Sequence, residues 1–226
     1  MDYTRVDKSS IEMVSRFERQ DQSDLRKVED SIKSSAKELL KKDNVMDGNP
    51  ARGEIGKVPY MEPVRSVDVP EGWALELEMP GVNRMSASVI FRPIAAPDAV
   101  LSIYYRGNAI ASGEAACFKD LLESKPHVLA EDEKALVSRQ IIGNLSDASA
   151  FAIETAATRD LAGRRTLFIE GTWRQGGKKF HGFLVPKDET FSRIQEIFFE
   201  APEPNFSKYL ALAVKAIDSI KWRHPD

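Results

Sequence analysis

Residues 166–222 read TLFIEGTWRQGGKKFHGFLVPKDETFSRIQEIFFEAPEPNFSKYLALAVKAIDSIKW, and this stretch decides the fold. Three strand-like runs follow one another and a single amphipathic helix closes the unit. The runs on either side of Gly176-Gly177 make the clearest hairpin in the chain, because paired glycines supply the positive φ angles of a tight primed turn. A loop of those two glycines sets Trp173 opposite Phe180, Gly171 opposite Gly182 and Ile169 opposite Leu184. Leu167, Ile169, Trp173, Phe180 and Leu184 then share one apolar face. The second face carries Phe168, Phe183 and Val185 among Glu170, Thr172, Lys179 and His181. Such a half-apolar face needs a cover, either the chain's own helices or another protein. The facing glycines leave a gap that the closing helix, a backbone or a ligand can fill.

After the hairpin, Ile194 to Ala201 is the expected last strand, and Pro202 and Pro204 stop it. Asn205 is the expected N-cap of the closing helix. Phe206, Leu210, Ala213, Ile217 and Ile220 fall on one face of that helix. Burying the larger of these is worth about 1.5–3 kcal/mol each, so the helix must pack on the sheet.

Upstream, residues 9–42 carry an apolar stripe at spacings of three and four, with a break expected near residues 20–23. This segment is an amphipathic extension that packs on its own domain, or else self-associates or enters a partner's groove. Its seam is too short and interrupted for a long coiled coil. Asp47-Gly48-Asn49-Pro50, Pro59 and Pro63 mark a linker. The expected organisation is therefore an extension over 1–45, a linker over 46–63 and a main domain over 64–226. Within the main domain, Trp73 to Met79 alternates as a half-solvated strand and Ser86 to Arg92 is a second. Val100 to Tyr105 is apolar on both faces and so central. Helical runs follow at 114–123 and 131–142, then a strand at 151–158.

Composition narrows the function classes. The chain has 226 residues, 42% of them hydrophobic and 30% charged, an ordinary globular balance. A net charge of −3 offers no basic footprint for nucleic acid. The single cysteine, Cys117, excludes an internal disulfide. The amino terminus, MDYTRVDKSSIEMV, lacks the basic start and apolar core of a secretory signal, so the expected location is the cytoplasm. No run reaches the roughly 20 apolar residues of a membrane span.

Chemistry-bearing residues are few. His127, His181 and His224 have no neighbours at metal-ligand spacing, and no nucleotide-binding glycine loop is present, so no metal and no cofactor is expected. His181 is expected on a strand beside Thr172, with Glu170 on the same face and Glu196 from the next strand. Those groups make either an acid–base cluster or the polar half of a sheet face. Nothing in the sequence supplies a nucleophile beside them. Cys117, among apolar residues, reads as a small core side chain.

At the hairpin, the EIFFEAPEPNF stretch and the closing helix ending in SIKW, the chain resembles the Mog/PsbP-like superfamily. The resemblance spans Val64 to Trp222 and rests on element order and the apolar ending. It implies an α+β fold, an antiparallel sheet with helices packed on its faces. The superfamily includes a photosystem oxygen-evolving subunit, a Ran-binding nuclear import factor and bacterial chaperones linked to type VI secretion effectors. The helical extension and the two helical runs before residue 142 depart from that pattern. The resemblance implies a binding scaffold and carries over no catalytic residue. Three functions follow as expectations. The first is a non-enzymatic adaptor or secretion-associated chaperone that covers an apolar segment of another protein, or of a second copy of the chain, with Phe168, Glu170, Thr172, His181, Phe183 and Val185. The second is an immunity protein that neutralises a toxin. The third is a small enzyme using Glu170 and His181.

Overall fold

Gly176 and Gly177 both take positive φ, but the tight two-residue turn lies one connection earlier than the sequence suggests. In the computed structural model, which describes residues 52–54, 61–78, 87–105, 109–137 and 148–223, Ala162 and Gly163 have φ of 48° and 80°. They join β6 (Phe151–Leu161) to β7 (Arg164–Trp173) in a two-residue turn. Positive φ at both central residues is what a primed turn requires. The next connection, to β8 (Lys179–Pro186), is wider. Trp173 N donates to Lys178 O at 2.9 Å and Gly177 N to Trp173 O at 3.1 Å, so Arg174 and Gln175 join the two glycines in the loop. The pairing is therefore Leu167 with Leu184, Ile169 with Gly182 and Gly171 with Phe180. This corrects the expected register by two residues. Because side chains alternate with a period of two, each one keeps its predicted face.

The remaining strands are β1 (Arg52–Glu54), β2 (Val64–Asp68), β3 (Trp73–Glu78), β4 (Ala87–Pro93), β5 (Val100–Tyr105), β9 (Ile194–Ala201) and β10 (Lys221–Trp222). Among the described residues three α-helices accompany them: α1 (Ser112–Glu123), α2 (Glu131–Val137) and α3 (Asn205–Asp218). Seven strands form one antiparallel sheet in the order β3-β4-β5-β9-β8-β7-β6, and β1-β2-β10 form a small second sheet. The architecture is α+β with helices on the sheet faces, as expected. The helical extension lies outside the described residues, as do residues 138–142 of the second helical run. β1 falls within the expected linker and pairs with β2, Gly53 facing Val67. Met61 is fully buried, so packed structure reaches to the amino-terminal side of Val64.

Each face of the large sheet builds its own core. On one, Phe91, Leu101, Phe168, Phe183, Val185, Ile197 and Phe199 pack with Tyr209, Ala213 and Ile217 of α3. On the other, Leu167, Ile169, Phe180 and Leu184 pack with Phe118, Leu121 and Leu122 of α1 and Val137 of α2. Gln195 reaches across to the amino-terminal segment, its Nε2 donating to Met61 O at 3.2 Å. Asn205 is the first residue of α3 and not its cap, which is Pro204. Its side chain donates to Asp98 Oδ1 at 2.8 Å.

The gap expected between Gly171 and Gly182 is filled from within the sheet. A Cβ on Gly182 would lie 2.6 Å from Phe198 Cβ and 2.8 Å from the Phe180 ring; one on Gly171 would meet Phe151 at 2.6 Å. Phe151 and Phe180 pack edge to face, ring centres 5.4 Å apart, and Phe180 stacks with Phe198 at 5.1 Å. Aromatic rings laid over strand glycines restore the contacts that glycine lacks.

Candidate functional site

The polar half of the α3-facing sheet surface begins where that helix starts. On β7 and β8 the cross-strand pairs are Glu170 with His181 and Thr172 with Lys179. His181 thus faces Glu170 directly and not Thr172. Its Nδ1 lies 2.8 Å from Glu170 Oε1. The imidazole stands edge-on to Phe168, 4.9 Å between ring centres, and to Phe183 at 6.0 Å. Only 8% of His181 is exposed. Arg159 of β6 lies over the Phe168 ring, its guanidinium carbon 3.3 Å from the centroid. Although Arg159 sits at an exposed position, the ring removes water from one side of it. That desolvation draws its pKa below the ordinary arginine value, and the Glu170 carboxylate opposes the shift. Around this centre, Thr172 Oγ1 donates to Glu154 Oε1 at 2.6 Å and Lys179 Nζ lies 3.1 Å from Glu203.

Of the six predicted site residues, Glu170 and Thr172 are part-exposed and form a ledge, with His181 buried at its inner edge. Phe168, Phe183 and Val185 lie beneath, at 1%, 5% and 0% exposure, inside the core shared with α3. The cover those three side chains need is supplied by the chain itself, so they are a floor and not an open surface. Glu196 does not join the cluster. It pairs with Leu184, whereas Phe199 pairs with His181, and the alternation along β9 points Glu196 to the opposite face. Cys117 is half-buried on α1.

Two further features lie beyond sequence reasoning. One is a cleft of 790 Å³ at the opposite end of β7 and β8, bounded by the last turn of α1, the β6–β7 corner, the β8–β9 loop and residues 62, 63 and 223. Five basic and four acidic side chains line it. Glu62 is shared by Arg223 at 3.2 Å and Lys187 at 3.4 Å. Lys187 also lies over the Tyr105 ring, 4.0 Å from its centroid. Burial lowers the Lys187 pKa and Glu62 partly restores it. These residues come from five separated segments, and no local pattern joins them.

The second feature is His127, where the chain bridges to β6 through Val128 and Ala157. Its Nδ1 lies 2.7 Å from Lys125 O and its Nε2 lies 3.2 Å from Glu133 Oε1. Both acceptors favour imidazolium, so the pKa is raised, chiefly by the Lys125 carbonyl and then by Glu133. Among the described residues, no group of three or more His, Cys, Asp or Glu side chains is placed to hold a metal ion. No helix among them is long and apolar enough to cross a membrane.

The chain is thus an α+β sheet protein with an internally paired polar ledge at one end of its central strands and a charged cleft at the other. No family model and no curated protein matches it. It is similar to the solution structure of cyanobacterial PsbP (CyanoP) from Synechocystis sp. PCC 6803, with 15% identity, 70% of this chain and 85% of that chain covered, and a TM-score of 0.45. That likeness assigns neither a family nor a function.

Proposed function

We propose that the chain is a non-enzymatic, cytoplasmic protein-binding module, an adaptor or secretion-associated chaperone, that seats a partner segment along the ledge of Glu170 and Thr172. The observation that carries this reading is the partial cover of the sheet. The chain's own core buries Phe168, Phe183 and Val185 but leaves Glu170, Thr172, Lys179 and Glu154 within reach of solvent. A row of polar side chains at fixed strand spacing above a rigid aromatic floor sets the register of an incoming segment. The His181–Glu170 pair has the geometry of a base and its orienting carboxylate. However, the ring is enclosed by Phe168 and Phe183, and a general base must come within hydrogen-bond reach of its substrate. That enclosure favours a structural role for the pair over the enzyme reading.

The test places a photoreactive benzoyl-phenylalanine at Thr172 and, as a control, at Lys215 on the exposed side of α3. Irradiation of cells producing the full chain should cross-link one protein from position 172 and not from 215. Glu170→Lys and Thr172→Arg should lower recovery of that protein about tenfold. Equal capture at both positions, or unchanged recovery with both variants, overturns the proposal. The captured protein also separates the finer roles: a secreted effector makes the chain a chaperone, a toxin makes it an immunity protein.

A further inference from the structure

Among the described residues, the cleft at the β6–β7 corner contains a cation without a counter-charge. Arg164 begins β7 and lines the cleft. Among the described residues no carboxylate and no hydrogen-bond acceptor engages its guanidinium. Its neighbour is the Trp222 ring, 5.3 Å from the guanidinium carbon to the centroid. The other basic side chains of the cleft are engaged. Arg165 donates to Asp160 Oδ1 at 2.7 Å and to Ser124 O at 2.8 Å. Lys187 and Arg223 share Glu62, and Lys119 lies 3.7 Å from Glu123.

Arg164 is half-buried, and that desolvation lowers its pKa from the ordinary arginine value. Arginine nonetheless stays charged, and an anion offsets the cost of partial burial more fully than the Trp222 ring does. Another part of the lining adds a second observation. Phe191 lines the same cleft with φ of 55°, a left-handed conformation that a phenylalanine rarely adopts. Phe191 N donates to Asp188 O at 3.2 Å and its ring packs edge-on to Phe118, centres 6.3 Å apart. Backbone strain that presents an aromatic ring to a cleft is a pointer to binding.

We propose that this cleft binds an organic monocarboxylate with an apolar body, the carboxylate forked on Arg164 and the body set against Phe191, Leu122 and Pro186. A guanidinium matches a carboxylate through two parallel hydrogen bonds. The surplus of one basic side chain over the acidic ones suits a single negative charge, and the acidic members repel a phosphate dianion. The volume falls within the range of small-molecule sites, roughly 300–1,000 Å³. Glu170 lies six positions along β7 from Arg164, roughly 20 Å at strand rise, so this site stands apart from the ledge.

Two sources carry that chemistry, a small free acid and the carboxyl terminus of a peptide. The experiment titrates the full chain with 3-phenylpropionate, with acetyl-Gly-Ala-Phe, and with the same peptide as its amide, following the Arg164 Nε–H and Phe191 amide resonances. Both acids should shift these signals, and the amide should bind at least tenfold more weakly. Arg164→Gln should weaken the acids to a similar extent and Arg164→Lys less, with Lys208→Gln unchanged. Thermal melts of each variant separate lost binding from lost folding. Tighter binding of the tripeptide acid identifies a peptide terminus as the ligand, and equal binding identifies a small acid. Binding of the amide within twofold of the acid, no shift with either acid, or unchanged affinity in a folded Arg164→Gln overturns the proposal. Displacement of the bound acid by inorganic phosphate at lower concentration than by acetate overturns the monocarboxylate assignment.

Discussion

Replacing Gly182 by alanine tests whether the aromatic layer over the sheet is as close as the geometry states. Gly182 pairs with Ile169 on one side and Phe198 on the other, in the middle of the large sheet. The added methyl group would stand 2.6 Å from Phe198 Cβ and 2.8 Å from Phe180 Cε1 and Cζ. The Phe180 ring can rotate away at modest cost. Phe198 Cβ cannot, because it moves only with the backbone of β9. Overpacking of this kind costs about 1–3 kcal/mol. Alanine recovers about 0.5–1 kcal/mol over glycine within a strand. A 2.6 Å contact with a backbone-anchored atom belongs to the upper half of the overpacking range, about 2–3 kcal/mol. The net loss is therefore about 1–2.5 kcal/mol, which for a domain of this size lowers the melting temperature by roughly 2–10 °C. Adding Phe180→Leu should not restore wild-type stability, since Phe198 Cβ remains. Gly113→Ala is the control: nothing lies within 4 Å of the methyl group it adds, and alanine is the better helix former there. Thermal melts followed by circular dichroism, with urea titrations for ΔG, supply the measurement. A Gly182→Ala variant as stable as the wild type would refute the close approach of the two strands.

Three other predictions follow from the same geometry. Ile217 is fully buried under the sheet, so Ile217→Ala should cost about 2–5 kcal/mol, while the exposed Lys215→Ala should stay within about 0.5 kcal/mol; equal losses in urea titrations would contradict the packing face of α3. His127 holds its proton more tightly folded than unfolded, its pKa being raised above 6.5. Its contribution to stability is therefore complete below that value and is lost as pH rises through the raised pKa. His127→Gln should flatten that part of the stability–pH curve, and an unaltered curve would show that the imidazolium contacts are not made in solution. Partner binding at the ledge should weaken as salt is raised from 50 to 500 mM, because Glu170 and Lys179 are part-exposed charges, and salt-independent affinity would point to an apolar contact instead.

The element order and both faces of the central hairpin are legible in the sequence for one reason: alternation has a period of two, and any even error in register leaves it intact. Leu167, Ile169, Phe180 and Leu184 therefore group together correctly although every cross-strand partner is displaced. The loop length is not legible, because Gly-Gly satisfies the dihedral demand of a two-residue turn and of the second half of a four-residue loop alike. Ala162-Gly163 does not announce itself as the tight turn, since alanine at positive φ is uncommon and leaves no compositional mark. The closing helix is legible from Phe206, Ala213 and Ile217, all buried as their spacing requires. Its start is displaced by one residue, because Asn205 looks like a cap while its side chain is engaged by Asp98. The small sheet leaves no trace, as β10 is two residues long and β1 follows a run of turn residues.

Site legibility follows the same division between local and distant information. Glu170, Thr172 and His181 lie within one hairpin, so the sequence alone brings them together. The cleft gathers residues from 62 to 223, and only the tertiary fold brings Arg164 and Glu62 to one place. This matters for what the molecule can recognise. Both faces of the large sheet commit their aromatic and aliphatic side chains to the chain's own helices, and the large apolar residues left exposed among those described are Leu75, Ile94, Val128 and Leu212, each on a different element. Single exposed residues of this kind are normal for a protein surface and build no apolar docking patch. Recognition by the described surface then starts from charge and hydrogen bonding. On the ledge those groups are already paired, so a partner has to exchange one pairing for another and gains specificity more than affinity. In the cleft Arg164 has no pairing to exchange among the described residues, and an incoming carboxylate would add a hydrogen-bonded pair that those residues do not supply. Of the two sites, the cleft therefore has the larger unrealised interaction per contact.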